Sequence, residues 1–171
     1  MYMAKGLDTG DIIFQEKTPI DINEDAQSLH DRLADIGAKL LVRTLPKLTA
    51  GTAGRTAQDD SLSCYASMLS REQSPMDWNR TARQLHDQVR GLAPWPSATA
   101  EIDGVRCKIW KTTLTGERTG KAPGSVVQAD KKALKIACGD GQALRIDELQ
   151  PDGKKRMAAT AFLLGHPIQV N

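Results

Sequence analysis

The sequence predicts a chain of two parts, a short α/β segment followed by a small antiparallel β-barrel. Three observations carry this prediction. Apolar residues recur at helical spacing between residues 23 and 49, they alternate with a period of two from residue 99 onward, and a small, polar, weakly periodic stretch lies between the two. The 171 residues suffice for one ordinary domain or two small ones. A hydrophobic share of 40% beside a charged share of 26% describes a globular chain and argues against wholesale disorder.

Taken in order, Tyr2–Ala4 and Ile12–Phe14 predict two short strands around a turn, ended by Pro19. Two strands do not make a stable unit alone, so the chain is expected to open partway into a sheet. A helix is predicted from Asn23 to Thr49, with Asn23 as N-cap and Glu24 and Asp25 in the first turn. Ala26, Leu29, Leu33, Ile36 and Leu40 form its stripe, Gly37 and Pro46 are places to bend or divide it, and Gly51 is its stop. Residues 51–75 read as a linker. A second helix is predicted from Asp77 to Leu92, with Trp78, Ala82, Leu85, Val89 and Leu92 on one face, ended by Ala93-Pro94-Trp95-Pro96. Asp103-Gly104 marks a hairpin, and Ser125–Ala129, Ala133–Cys138 and Ala143–Ile146 predict three more strands before a terminal helix at Ala158–Leu164. Four or five short antiparallel strands with a small helix suggest the barrel.

Composition excludes several classes. No run of eighteen apolar residues is present, and Met1–Gly10 lacks the plan of a signal peptide. Cys64, Cys107 and Cys138 are odd in number and widely spaced, and no C-x-x-C pair exists, so neither a disulfide scaffold nor a zinc knuckle is expected. His30 and His86 fall on predicted helices and are expected at the surface. No metal site is expected, and a reducing compartment is the simplest home. The net charge of +2 hides an asymmetry: residues 1–75 hold 8 Lys and Arg against 11 Asp and Glu, and residues 76–171 hold 15 against 10. The basic part could meet a polyanion or be an ordinary solvated surface.

Three motifs carry chemistry. Asp8 in Leu7-Asp8-Thr9-Gly10-Asp11 sits on a tight turn, where a carboxylate can project into a cleft as proton acceptor or simply face solvent. The same triplet raises an aspartic protease, whose paired Asp-Thr-Gly loops share a proton; the long helix that follows and the lack of a glycine-rich flap argue against it. Arg106, Lys108 and Trp110 alternate onto one face of a predicted strand, a pattern that can track a phosphate backbone or leave Trp110 capping the core. Asp152-Gly153 leads into Lys154, Lys155 and Arg156, which can meet phosphates as point charges or be a solvated run.

These motifs occur in a familiar order. Gly6-Leu7-Asp8-Thr9-Gly10-Asp11-Ile12-Ile13, Cys64-Tyr65-Ala66, Met76-Asp77-Trp78, Pro94-Trp95-Pro96, Lys108-Ile109-Trp110-Lys111, Ala122-Pro123-Gly124, Gly139-Asp140-Gly141 and Leu149 through Met157 resemble, in series, the methionyl-tRNA formyltransferase family. The resemblance covers nearly the whole chain. It implies transfer of a formyl group from 10-formyltetrahydrofolate, as co-substrate, to the amino group of initiator methionyl-tRNA. It implies a fold of a Rossmann-like formyl-transfer domain, here a C-terminal remnant at residues 1–51, a linker at 52–75, and an OB-like tRNA-binding barrel at 76–171. Asp8 matches the family's catalytic Asp, and Ala4, Lys5, Gly6 and Leu7 would line the folate pocket by backbone contacts. Arg106, Lys108, Lys111, Lys154, Lys155 and Arg156 become the expected tRNA contacts. The compartment implied is bacterial cytoplasm or an organellar matrix, with no membrane.

The sequence departs from the family in two places. The family's first part, with its main βαβ sheet, an active-site Asn and His and a Ser-Leu-Leu-Pro loop at the folate, is not in these residues, so the chain corresponds to the back half of the enzyme. Met68 stands where the family often has Lys. The missing sheet leaves the leucines of the first helix without cover, and self-association through residues 1–50 is expected. Two rivals follow from the same residues: a stand-alone tRNA-binding module without catalysis, and a formyltransferase acting on another amine such as a nucleotide sugar.

Overall fold

Alanine and leucine spacing free of β-branched runs lets Ala26–Thr49 form α1, one continuous helix with Pro46 inside it. Pro46 does not divide the helix; its carbonyl still accepts the Ala50 N–H at 3.0 Å. Gly51, at φ 68°, ends it as expected. The start at Ala26 is three residues later than the sequence suggested. Thr44 is the buried position, its hydroxyl donating to the Leu40 carbonyl at 2.7 Å, while Leu33, Leu41, Val42 and Leu45 remain exposed.

In the computed structural model, which describes residues 1–170, the chain packs as two units. The first comprises residues 1–22 and 28–68, the second residues 23–27 and the chain from 69 onward. In the first unit the two strands expected at Tyr2–Ala4 and Ile12–Phe14 do not form. The backbone folds back on itself too tightly for a ladder. Asp8 takes φ 53°, and a Cβ on buried Gly10 would lie 1.7 Å from the Tyr2 carbonyl oxygen. Instead the Tyr2 N–H donates to Asp11 O at 2.9 Å, and Ile12 exchanges two hydrogen bonds with Thr56, at 2.8 and 3.0 Å.

In the second unit α2 runs over Ala82–Gly91, five residues later than expected at its start. Asp77 caps a turn, accepting from the Asn79 N–H at 3.0 Å and its side-chain amide at 2.8 Å. The helix cap is Thr81, in a reciprocal box with Gln84. Trp78 therefore stands ahead of the helix, where it still packs against the core. Ala82, Leu85 and Val89 are buried as expected, each large apolar side chain contributing about 1.5–3 kcal/mol. His86, expected at the surface, is buried too, its Nδ1 2.9 Å from the Thr112 hydroxyl; helical spacing placed it beside Leu85, on the flank that meets the sheet.

That sheet has six antiparallel strands: β1 Ala98–Ile102, β2 Val105–Arg118, β3 Val126–Ala129, β4 Leu134–Ala137, β5 Gln142–Pro151 and β6 Met157–Ala158. Their order is β1-β2-β5-β4-β3, with β6 on β5. Among the described residues β1 and β3 are not paired, so the sheet is not closed by hydrogen bonds. β5 is longer than the sequence suggested and carries Leu149 and Pro151 opposite Ile109 and Cys107. α3, Ala159–Gly165, lays Phe162 into the core. Gly139 is forced at its turn: its N–H reaches Arg80 O at 2.9 Å, and a Cβ there would fall 1.8 Å from Asn79 O.

Candidate functional site

In the first unit Asp8 sits at the crest of the 7–10 turn, exposed, with the positive φ that Asp tolerates better than most residues. The turn is held from outside its own sequence. The Gln58 side-chain amide donates to both Asp8 O and Gly10 O at 2.7 Å. With both carbonyls tied down, the carboxylate is left as the free end of Asp8, and no side-chain hydrogen bond to it is made among the described residues. A cleft of about 460 Å³ opens beside it, lined by Leu7, Asp8, Thr9, Ile12, Gln58 and Cys64 among others. Asp59 borders the same cleft and caps a short turn, accepting from Ser61 Oγ at 2.6 Å and Ser61 N at 2.9 Å. The Ser61 hydroxyl and N–H hold its carboxyl below the usual carboxylate range.

Of the expected cofactor residues, Leu7 lines this cleft; Ala4, Lys5 and Gly6 are exposed and are not part of its wall. Gln58 was not foreseen, because a polar residue fifty positions from the turn carries no periodic signal. Arg55 ties down the segment around the same turn, donating to Asp11 at 2.9 Å and standing 4.1 Å over the Tyr2 ring. The arrangement can present the Asp8 carboxylate, on a backbone that Gln58 holds, to a molecule in an open cleft that Asp59 and Asp60 also line. Such a group can accept a proton.

The second unit brings the basic residues together. On β2 the side chains of Cys107 and Ile109 turn into the core, and Arg106 and Lys108 turn outward, as the alternation predicted. An irregularity in the β2–β5 pairing around Lys111 leaves Lys111 exposed also. Lys154, Lys155 and Arg156 follow β5 in the turn to β6, all exposed.

The cations are not equivalent. Arg156 donates to Glu148 at 2.5 Å and lies 5.0 Å over the Trp110 ring, an arrangement worth about 0.5–1 kcal/mol at an exposed site. Arg106 is 4.0 Å from Asp152. Lys108, Lys111, Lys154 and Lys155 have no carboxylate partner among the described residues. Trp110 is half-buried and anchors the turn rather than lying open for stacking. Its indole N–H donates to Gln150 Oε1 at 3.1 Å, and the Gln150 amide donates to Lys154 O at 2.8 Å. This chain of bonds fixes where Lys154 and Lys155 stand. The link through Gln150 needed the β5 register, which the sequence pattern did not extend that far.

Two of the three thiols are buried in the core. Burial pushes the Cys107 and Cys138 thiols up to about 11, with Asp152 and Asp140 adding to it, so neither is a nucleophile at neutral pH. No cluster of three or more His, Cys, Asp or Glu that could hold a metal ion occurs among the described residues. No helix among them is long and apolar enough to cross a membrane.

Residues 68–167 match the family model of the formyl transferase C-terminal domain, and residues 1–45 match that of formyl transferase. The chain is 47% identical to a methionyl-tRNA formyltransferase of Geotalea uraniireducens over 98% of its own length and 53% of that protein. It is 48% identical to another from Pelobacter propionicus, over 98% of its length and 52% of that protein. The chain thus spans about half the length of the curated relatives it matches. Among solved structures it resembles HypX from Aquifex aeolicus in complex with tetrahydrofolic acid, at 17% identity and a TM-score of 0.69, over 98% of this chain and 30% of that one. It also resembles an N-formyltransferase from Helicobacter canadensis in complex with folinic acid and dTDP-3-aminofucose, at 25% identity and a TM-score of 0.65, over 84% of this chain and 52% of that one.

Proposed function

We propose, since this chain belongs to the formyl transferase family by its C-terminal domain, that it is the later half of an enzyme moving a formyl group from 10-formyltetrahydrofolate to the amino group of initiator methionyl-tRNA. The observation that carries this is the identity of 47–48% to methionyl-tRNA formyltransferases over 98% of the chain. The likeness to a sugar N-formyltransferase is lower, at 25%. On this reading residues 1–51 close the Rossmann-like formyl-transfer domain, 52–75 link it, and 76–171 form an OB-like tRNA-binding domain whose six-stranded sheet is open at β1 and β3.

Asp8 is the residue through which this chain enters the chemistry. When bound, 10-formyltetrahydrofolate would supply an activated formyl carbon to the amine, and the proton that the amine gives up would balance the one that the departing folate nitrogen gains. Asp8 takes the proton the attacking amine releases. The cleft fits that role, since Leu7 and Ile12 give it an apolar wall beside the Asp8 carboxylate, while the Asp59 carboxylate on the same cleft is engaged by Ser61. Ala4 to Gly6 would reach the folate only through their exposed backbone. The cations of β2 and the 152–156 turn hold the tRNA phosphates.

The test is a formyl-transfer assay on the polypeptide that carries these residues in its cells. D8N is expected to lower kcat by about a hundredfold or more, within the usual reach of general acid–base catalysis, and to leave tRNA affinity unchanged. An amino-sugar nucleotide accepted as substrate, with no competition from tRNA, would overturn the assignment in favour of the nucleotide-sugar rival. Binding of tRNA with no formyl transfer under any condition would leave the stand-alone binding module.

A further inference from the structure

Trp95 is half exposed, at 54%, although it is among the largest apolar side chains available to a core. The backbone that carries it is tied down. The Ser97 hydroxyl donates to Pro94 O at 2.7 Å, and the Ser97 N–H donates to Leu92 O at 2.9 Å, with Ser97 itself buried at φ 68°. The neighbouring wall is fixed as firmly: Thr99 N donates to Ser74 O at 2.7 Å and Met76 N to Thr99 O at 2.8 Å. Between them opens a pocket of about 330 Å³, within the small-molecule range of about 300–1,000 Å³.

The pocket wall contains Arg71, Arg106 and Lys108 together with Trp95, and no Asp or Glu among the described residues. Register explains how two of the cations arrive: Lys108 stands opposite Thr99 and Arg106 opposite Glu101 across β1 and β2. Arg106 is part neutralised by its neighbours, so Arg71 and Lys108 carry most of the positive charge. An aromatic face next to cations is the combination that takes a base and its phosphates together. Because Arg106 and Lys108 also belong to the outward face of β2, the pocket is continuous with the basic surface already described.

We propose that this pocket seats one unpaired nucleotide of an RNA strand, its base stacked on the Trp95 indole and its phosphates against Arg71, Arg106 and Lys108. The proposal rests on the reading of the chain as a tRNA-binding protein and adds a place where a single base is gripped. A paired base cannot use it, since both of its faces are already stacked in the duplex.

The experiment titrates the chain with a single-stranded RNA tetranucleotide, an RNA hairpin duplex of similar phosphate count, 5′-AMP, and whole tRNA. Wild type is expected to show tryptophan quenching with the tetranucleotide. W95A is expected to weaken the tetranucleotide about tenfold and to remove the quenching, while the hairpin changes less than about twofold. W95F keeps an aromatic face and is expected to restore affinity to within about threefold. Equal binding of the tetranucleotide by wild type and W95A overturns the proposal, and so does 5′-AMP binding as tightly as the tetranucleotide. If tRNA still binds in a manner sensitive to Lys154 and Lys155 while W95A changes nothing, the pocket alone falls. If wild type binds no tRNA, the functional reading falls with it.

Discussion

Lys154 and Lys155 make the sharpest quantitative test of the basic face. Of its six cations, Arg106 and Arg156 already have carboxylate partners, at 4.0 Å to Asp152 and 2.5 Å to Glu148. The four lysines do not, so each can neutralise one phosphate and release its counterions. The four lysines together contribute about −3.6 to the slope of log affinity against log salt, about a 150-fold loss between roughly 50 and 200 mM salt, and the arginine contacts add equally to wild type and variant. Replacing both Lys154 and Lys155 with Ala removes two contacts. The slope is expected to become shallower by about 1.8 and the loss over the same range to shrink about twelvefold. Filter binding or anisotropy with labelled initiator tRNA, at four or more salt concentrations, measures both. A double variant whose slope matches wild type would refute the assignment of these lysines to phosphates. Far-ultraviolet circular dichroism on the same samples separates that result from misfolding, and the turn is expected to survive because Gln150 holds the Lys154 carbonyl rather than its side chain.

Four further outcomes follow from particular contacts. F162A removes a side chain 1% exposed that stacks on His166 at 4.4 Å, and is expected to cost about 3–5 kcal/mol in urea unfolding. G139A is expected to lower the melting temperature markedly, because its Cβ would meet Asn79 O at 1.8 Å, whereas G120A, with nothing within 4 Å, is expected to be neutral within about 0.5 kcal/mol. Burial raises the Asp87 carboxyl, but hydrogen bonds and charge from Arg83 and Arg90 outweigh it and hold it below the usual range; its contribution is present above the unfolded-state value near 3.8 and lost as pH falls through the lower folded value, so D87N is expected to flatten the acid limb of a stability-against-pH curve. One thiol per chain, the exposed Cys64, is expected to react quickly with a thiol reagent at pH 8, with Cys107 and Cys138 following only on unfolding.

The sheet was legible in the sequence where side chains alternate. Arg106, Cys107, Lys108 and Ile109 fell on the predicted faces because a strand's period of two is fixed by its backbone. α1 was legible from its spacing, yet spacing does not say what covers a stripe, and Leu33, Leu41 and Leu45 remain uncovered here. Whether this face draws copies of the chain together, as the sequence suggested, is decided by light scattering: self-association is expected to weaken when Leu41 and Leu45 become Lys. Two elements were misplaced for different reasons. Asp77 and Thr81 are both good caps, and only the Gln84 partner three residues on distinguishes the true one. The 7–10 turn looked like a hairpin, but its stability comes from Gln58, a tertiary contact that no local pattern encodes. Of the candidate site, the sequence named Asp8 and the six cations, but the hydrogen bonds that position them, from Gln58 and through Gln150, carry no local signal.

The most direct measurement is hydrogen–deuterium exchange of the chain with and without initiator methionyl-tRNA. The account predicts slowed exchange at residues 105–111 and 151–157, where β2 and the lysine turn meet phosphates, with α1 unchanged. Protection confined to α1, or none at a tRNA concentration that saturates binding, would contradict it.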